Sequence, residues 1–91
     1  MDNKKLIAIT GASSGIGAAT AKAFSAAGYP LLLMARRIEL MEAMNLPNAI
    51  CKEVDVLDLE GMKSAISEAE DAHGKVDCMI NNAGVMINGK P

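Results

Sequence analysis

The stretch that decides the fold is Thr10-Gly11-Ala12-Ser13-Ser14-Gly15-Ile16-Gly17. It follows the apolar run Leu6–Ile9, which has the continuous hydrophobicity of a strand buried on both faces. The segment Gly15–Ala27 has helical periodicity and ends before Gly28, a residue common at helix C-termini. The stretch therefore predicts a strand, a glycine loop and a helix. The apolar residues expected on the inner face of this helix are Ile16, Ala19, Ala23, Phe24 and Ala27.

The remaining chain repeats this alternation of strand and helix. The predicted elements are a strand Leu31–Met34, a short helix Ile38–Met44, a strand Ala49–Val54, a helix Leu59–His73 and a strand Val76–Ile80. Asp58 is the expected N-cap of the long helix, and Gly74 is expected to end it. Its expected inner face contains Leu59, Met62, Ile66, Ala69 and His73.

Alternating strands and helices with short connections predict an α/β fold with a doubly wound parallel sheet of the Rossmann type. Right-handed crossovers give the strand order 3-2-1-4, truncated after the fourth strand. We interpret residues 1–91 as the N-terminal dinucleotide-binding part of a single domain. The switch point between strands one and four predicts a ligand crevice beside Gly11 and Gly84.

Composition excludes several functional classes. The 91 residues carry a net charge of −2 with no cluster of Lys and Arg, which argues against nucleic-acid binding. The longest apolar run, Tyr29–Ala35, is too short to cross a membrane, and the N-terminus lacks a secretory hydrophobic region. We therefore expect a soluble, cytoplasmic chain. Cys51 and Cys78 have no metal-binding spacing and are expected to stay reduced, and no metal site is predicted.

Each glycine of the decisive stretch has a physical role. Gly11 permits a tight turn, Gly15 lets the backbone approach a pyrophosphate, and Gly17 allows the helix to pack closely on the strand. Unpaired N–H groups at the start of the helix favour an anion. The spacing differs from G-x-G-x-x-G and lacks the Gly-Lys-Ser/Thr of a phosphate loop, so a P-loop kinase is excluded. The alternative interpretation is an ordinary loop followed by an alanine-rich helix.

Two motifs in order, Thr10 to Gly17 and Asn81-Asn82-Ala83-Gly84, make the chain resemble the short-chain dehydrogenase/reductase family from Lys5 to about Gly89. The resemblance implies a nicotinamide cofactor. The implied cofactor-binding residues are Gly11, Ala12, Ser13, Ser14, Gly15, Ile16 and Gly17, then Asp55 and Val56 at the adenine, and Asn81, Ala83 and Gly84. Asp55 alternatively ends a strand or caps a turn, and Asn81 alternatively belongs to a turn-forming Asn-Asn pair.

The end of the second strand predicts which cofactor is used. An acidic residue there would bind a free ribose 2′-hydroxyl, but this sequence has Arg36 and Arg37. A guanidinium forms paired hydrogen bonds with a 2′-phosphate, so NADP(H) is favoured over NAD(H). The nearest acid, Glu39, is expected to point into the short helix or into solvent. The alternative is that both arginines belong to a solvated turn.

The family's catalytic Ser, Tyr and Lys have no counterpart in this sequence. The single tyrosine, Tyr29, has Leu33 four positions later, where the family has Lys. The resemblance implies the N-terminal part of an oxidoreductase that transfers hydride between NADP(H) and a small alcohol or carbonyl substrate, inactive without its downstream residues. The exposed edge of the fourth strand also predicts a homo-oligomer. The alternative is a naturally short, non-catalytic nucleotide-binding or assembly module.

Overall fold

The computed structural model describes residues 4–13, 15–55 and 57–81. Every predicted element is present, and the predicted ends differ from the observed ones by two residues at most. The elements are β1 (Leu6–Thr10), α1 (Gly15–Ala26), β2 (Leu31–Ala35), α2 (Ile38–Glu42), β3 (Ala49–Glu53), α3 (Leu59–His73) and β4 (Val76–Asn81).

The four strands form one parallel sheet in the order β3-β2-β1-β4. This order confirms the predicted α/β arrangement and places the switch point between β1 and β4. The register pairs Thr10 with Met34 on one side and with Asn81 on the other. The carboxyl ends of the strands therefore lie together at one edge of the sheet, where ligands bind in open α/β folds.

The core surrounds the two central strands, β1 and β2, whose residues are all buried. On one face they contact Ala21 of α1 and Met41 of α2. On the other face they contact Ala65 and Ala69 of α3. Helices on both faces explain why these strands are continuously apolar instead of alternating.

The predicted inner face of α1 is wrong by about one residue. Gly17 and Ala21 are buried, whereas Ile16 is 77% exposed. Of the residues predicted to face inward, only Phe24 is partly buried, while Ala19, Ala23 and Ala27 are exposed. The reason is the close approach of the helix at Gly17, because a step of one residue rotates a helix face by about 100°.

The long helix α3 follows the sequence prediction more closely. Asp58 caps it, since its Oδ1 accepts a hydrogen bond from the Gly61 N–H at 3.0 Å. Met62, Ile66 and Ala69 pack against the sheet as predicted, together with Ala65. Leu59 is 67% exposed, contrary to the prediction, because it begins the helix, before the turns that contact the sheet.

The outer strands are less covered than the central pair. Met79 of β4 is 41% exposed, and Cys78 beside it is exposed as well. Both cysteines are free thiols, as predicted. Burial, and secondly the charge of Glu42, raise the pKa of the Cys51 thiol on β3.

Candidate functional site

The predicted ligand-binding residues of the described chain follow one another along the carboxyl edge of the sheet. The loop after β1 is joined to β2, because the Ala12 N–H donates to the Met34 carbonyl at 3.3 Å. The segment after β3 is joined to β2 in turn, since the Val54 N–H donates to the Ala35 carbonyl at 3.0 Å. The structure therefore brings the glycine loop, the arginine pair and Asp55 to neighbouring strand ends.

The glycine loop has the close packing that its spacing predicts. A Cβ atom added to Gly17 would lie 2.1 Å from the Gly11 carbonyl oxygen, so only glycine lets α1 begin against the loop. Gly15, with φ of +55°, has open space where its Cβ would be. Backbone exposed at the first residue of a helix can be approached closely by a phosphate group. A phosphate group that approached the loop at Gly15 would therefore meet no side chain of that residue.

A partly buried hydrogen bond joins the two sequence motifs. Thr10, fully buried at the end of β1, donates its hydroxyl hydrogen to Asn81 Oδ1 at 2.7 Å. Thr10 has no predicted role beyond its place in the first motif. The predicted strand order could have indicated this contact. Neighbouring parallel strands place the last residue of β1 beside the last residue of β4.

One arginine of the pair after β2 forms an ion pair that was not predicted. Arg36 and Arg37 are both exposed, and Arg37 Nε donates to Glu39 Oε2 at 2.8 Å. The Arg37 hydrogen bond, followed by the N–H of Glu39 itself, holds the pKa of the Glu39 carboxyl below its usual value. Glu39 is exposed to solvent, as predicted, but its contact with Arg37 was not predicted.

Asp55 lies at the predicted strand end and also stabilises a turn. Its Oδ1 accepts the Leu57 N–H at 2.9 Å, and its carbonyl accepts the Asp58 N–H at 2.8 Å. Asp55 therefore caps the turn that follows β3, as its alternative interpretation predicted. The hydrogen bond to Leu57 uses one carboxylate oxygen, and Asp55 remains exposed.

Four of the predicted cofactor-binding residues lie outside the described residues: Ser14, Val56, Ala83 and Gly84. Ala12, Ser13 and Ile16 are described, and all belong to the loop or to the first turn of α1. In the ranges that the structure covers, no helix combines the length and apolar character needed to cross a membrane. The same ranges hold no group of acidic, His or Cys side chains suited to a metal ion.

Tyr29 lies at the other end of the sheet, just before β2 begins. Its ring packs edge-on against Phe24 at 5.4 Å between centroids, and Lys4 Nζ lies 5.1 Å from the ring centre. These contacts place it in the core packing below α1, remote in the fold from the glycine loop. The position agrees with a structural role for the single tyrosine of the chain.

Comparison with known proteins supports the same family for the whole chain. The family model described as short chain dehydrogenase matches residues 5–91. An uncharacterized oxidoreductase of Listeria monocytogenes is 43% identical over 90 residues, which cover 92% of this chain and 36% of that protein. The chain thus spans about a third of the length of the relatives it matches.

Solved structures agree with this similarity. An alcohol dehydrogenase from Thermococcus sibiricus, complexed with 5-hydroxy-NADP, has a TM-score of 0.75 and 32% identity, covering 84% of this chain and 35% of its own. A 3-ketoacyl-(acyl-carrier-protein) reductase from Brucella melitensis, complexed with NADH, has a TM-score of 0.76 and 27% identity. That match covers 86% of this chain and 34% of the reductase. The fold thus occurs with cofactors that carry a 2′-phosphate and with cofactors that lack it.

Proposed function

This chain belongs to the short chain dehydrogenase family, and we propose that it binds NADP(H) as the N-terminal part of an oxidoreductase. The proposed reaction transfers hydride between NADP(H) and a small alcohol or carbonyl compound. One observation carries the choice of cofactor: two arginines stand at the end of β2, beside the glycine loop.

The glycine loop would hold the pyrophosphate. The first N–H groups of α1 have no partner within the helix, and together with the helix dipole they favour a negative charge. Gly17 keeps the start of α1 against Gly11, so these N–H groups are positioned before a ligand arrives. The cofactor supplies the hydride, and the loop binds and orients its phosphate groups.

The arginine pair would recognise the 2′-phosphate of the adenosine ribose. In Rossmann folds the residue that contacts the ribose stands at the end of the second strand, which is where Arg36 follows Ala35 here. A phosphate carries roughly two negative charges and forms strong paired hydrogen bonds with guanidinium groups. NAD(H) offers only a hydroxyl at this position, so the arginines would gain less from binding it.

Asp55 and Asn81 would complete the adenosine side of the site. Asp55 is exposed at the end of β3, and its Oδ2 is the oxygen that would accept a hydrogen from the adenine amino group. Asn81 is fixed beside the glycine loop through Thr10. The sequence holds no Tyr-x-x-x-Lys motif, so we infer that these 91 residues alone do not catalyse hydride transfer.

The test of this proposal is a change of cofactor preference in the full-length polypeptide that carries this chain. The combined variant Arg36→Asp and Arg37→Ala should weaken NADPH binding relative to NADH by at least about 1.5–3 kcal/mol, the typical contribution of charged hydrogen bonds. The measurement is the ratio of the two dissociation constants, by calorimetry or by fluorescence of the reduced nicotinamide.

A matched control makes the same change in charge at the opposite edge of the sheet. Lys5→Asp combined with Lys75→Ala alters two exposed cations near the amino ends of β1 and β4. This control should leave the ratio unchanged. A ratio that also stays unchanged in the arginine variant would refute the proposed recognition of the 2′-phosphate.

A further inference from the structure

The contact between Arg37 and Glu39 occupies only one part of the guanidinium group. The hydrogen bond runs from Nε to Glu39 Oε2 at 2.8 Å. A guanidinium has five N–H donors, so the four on the terminal nitrogens are not used by this bond. Among the described residues, no other hydrogen bond or ion pair is formed by the Arg37 side chain. Its terminal nitrogens can therefore bind an anion while Nε stays bound to Glu39.

Glu39 is itself well positioned to hold this group. It lies in the first turn of α2, where the Leu40 N–H donates to the Arg37 carbonyl and the Ala43 N–H donates to the Glu39 carbonyl, both at 3.1 Å. The backbone carbonyls of Arg37 and Glu39 thus each accept one hydrogen bond, from Leu40 of α2 and from Ala43 just after it. Both residues of the contact therefore stand on hydrogen-bonded backbone at the start of α2.

We propose that Glu39 is a positioning residue for cofactor selection: it holds Arg37 so that the terminal guanidinium nitrogens face the 2′-phosphate. This inference rests on the proposed NADP(H) function and deepens it. A long side chain loses conformational entropy when it binds a ligand, and a side chain already held in place loses less. Arg36, which has no ion pair in the described part of the chain, lacks this advantage.

The opposite effect of Glu39, repulsion of the phosphate, is weaker for two reasons. The carboxylate contacts the Nε side of the guanidinium, so its charge is compensated at 2.8 Å by Arg37. Both side chains are more than 60% exposed, at 65% for Arg37 and 62% for Glu39, so water and salt screen any remaining repulsion. Orientation of Arg37 is therefore the larger contribution of Glu39.

The experiment measures binding of two probes, 2′-phospho-ADP-ribose and ADP-ribose, to the full-length polypeptide. Glu39→Ala should weaken the phosphorylated probe about two- to fivefold, as expected for an exposed ion pair, and leave ADP-ribose unchanged. Glu39→Gln should retain most of the affinity, because its amide oxygen still accepts a hydrogen bond from Nε. Glu42→Ala, an exposed glutamate of the same helix, is the matched control and should change neither probe.

A double-mutant cycle shows whether Glu39 acts through Arg37. In an Arg37→Ala background, Glu39→Ala should have no further effect on the phosphorylated probe. An equal loss for both probes, an effect that persists without Arg37, or tighter binding in Glu39→Ala would each overturn the positioning role.

Failure of the proposed cofactor preference has a different signature. In that case the unmodified protein would bind both probes equally. This result would refute both the cofactor preference and the positioning role of Glu39. A protein that prefers the phosphorylated probe but is insensitive to Glu39→Ala would overturn the positioning role alone.

Discussion

The two central strands and the β4 edge carry different parts of the proposed site, and they differ in burial. Every residue of β1 and β2 is buried, whereas β4 contains exposed residues at four of its six positions. The difference follows from position in the sheet. Strands β1 and β2 each have two neighbours, while β4 has only β1 beside it in the described chain.

This difference indicates which part of the ligand the described residues can support. The glycine loop follows β1 directly, and the arginine pair follows β2. The residues proposed to bind the pyrophosphate and the 2′-phosphate are therefore attached to fully buried strands. Asn81 belongs to the exposed strand and is tied to the core through Thr10. The adenosine side of the proposed site would therefore rest largely on the described residues.

The sharpest test of the comparison truncates one side chain in each region. Leu32→Ala removes a fully buried side chain from β2, the strand between β1 and β3, and should lower the free energy of unfolding by about 2–5 kcal/mol. Met79→Ala, at 41% exposure on β4, should cost about 0.5 kcal/mol or less. Denaturant unfolding of the 91-residue chain measures both, and equal losses would contradict the contrast between centre and edge.

The next test concerns the glycine loop on the central strands. Gly17→Ala forces a methyl group to 2.1 Å from the Gly11 carbonyl oxygen, so the helix or the loop must shift, at about 1–3 kcal/mol. Gly15→Ala is the control: its methyl group meets no atom within 4 Å, so only its positive φ costs about 1 kcal/mol. Thermal or denaturant unfolding compares the two. A smaller loss for Gly17→Ala than for Gly15→Ala would mean that α1 does not depend on this close approach.

Much of the fold could be predicted because the local sequence patterns agreed with the rules for connecting parallel strands. Continuous apolar runs identified the central strands, glycines followed the ends of both long helices, and crossover handedness determined the strand order. The buried face of α1 did not follow from such a pattern. Apolar character selected Ile16 and Ala19, but the close approach at Gly17 determines which face is buried.

The sequence predicted which positions belong to the proposed site, but it did not predict the contacts among their side chains. Residue type and spacing located the glycine loop and the arginine pair at the ends of neighbouring strands. The contact between Arg37 and Glu39 depends on side-chain rotamers in an exposed turn, which periodicity does not determine. The bond between Thr10 and Asn81 connects residues 71 positions apart and follows only from the register of β1 with β4.

The bond between Thr10 and Asn81 provides the test with the smallest expected effect, because it links a buried side chain of the centre to a side chain of the exposed edge. Thr10→Val keeps the shape of the side chain and removes the hydroxyl, so it should cost about 1 kcal/mol of unfolding free energy. Thr10→Ser is the control, since it retains the hydroxyl that donates to Asn81 Oδ1. It loses only the methyl group.

The amide protons of β4 report the consequence for the site. If Thr10 ties β4 to the centre, hydrogen exchange of β4 should accelerate in Thr10→Val while β2, on the other side of β1, stays protected. Unchanged exchange in β4 would mean that the backbone ladder with β1 alone holds this edge. Asn81 would then owe its position beside the glycine loop to strand pairing and not to the hydroxyl of Thr10.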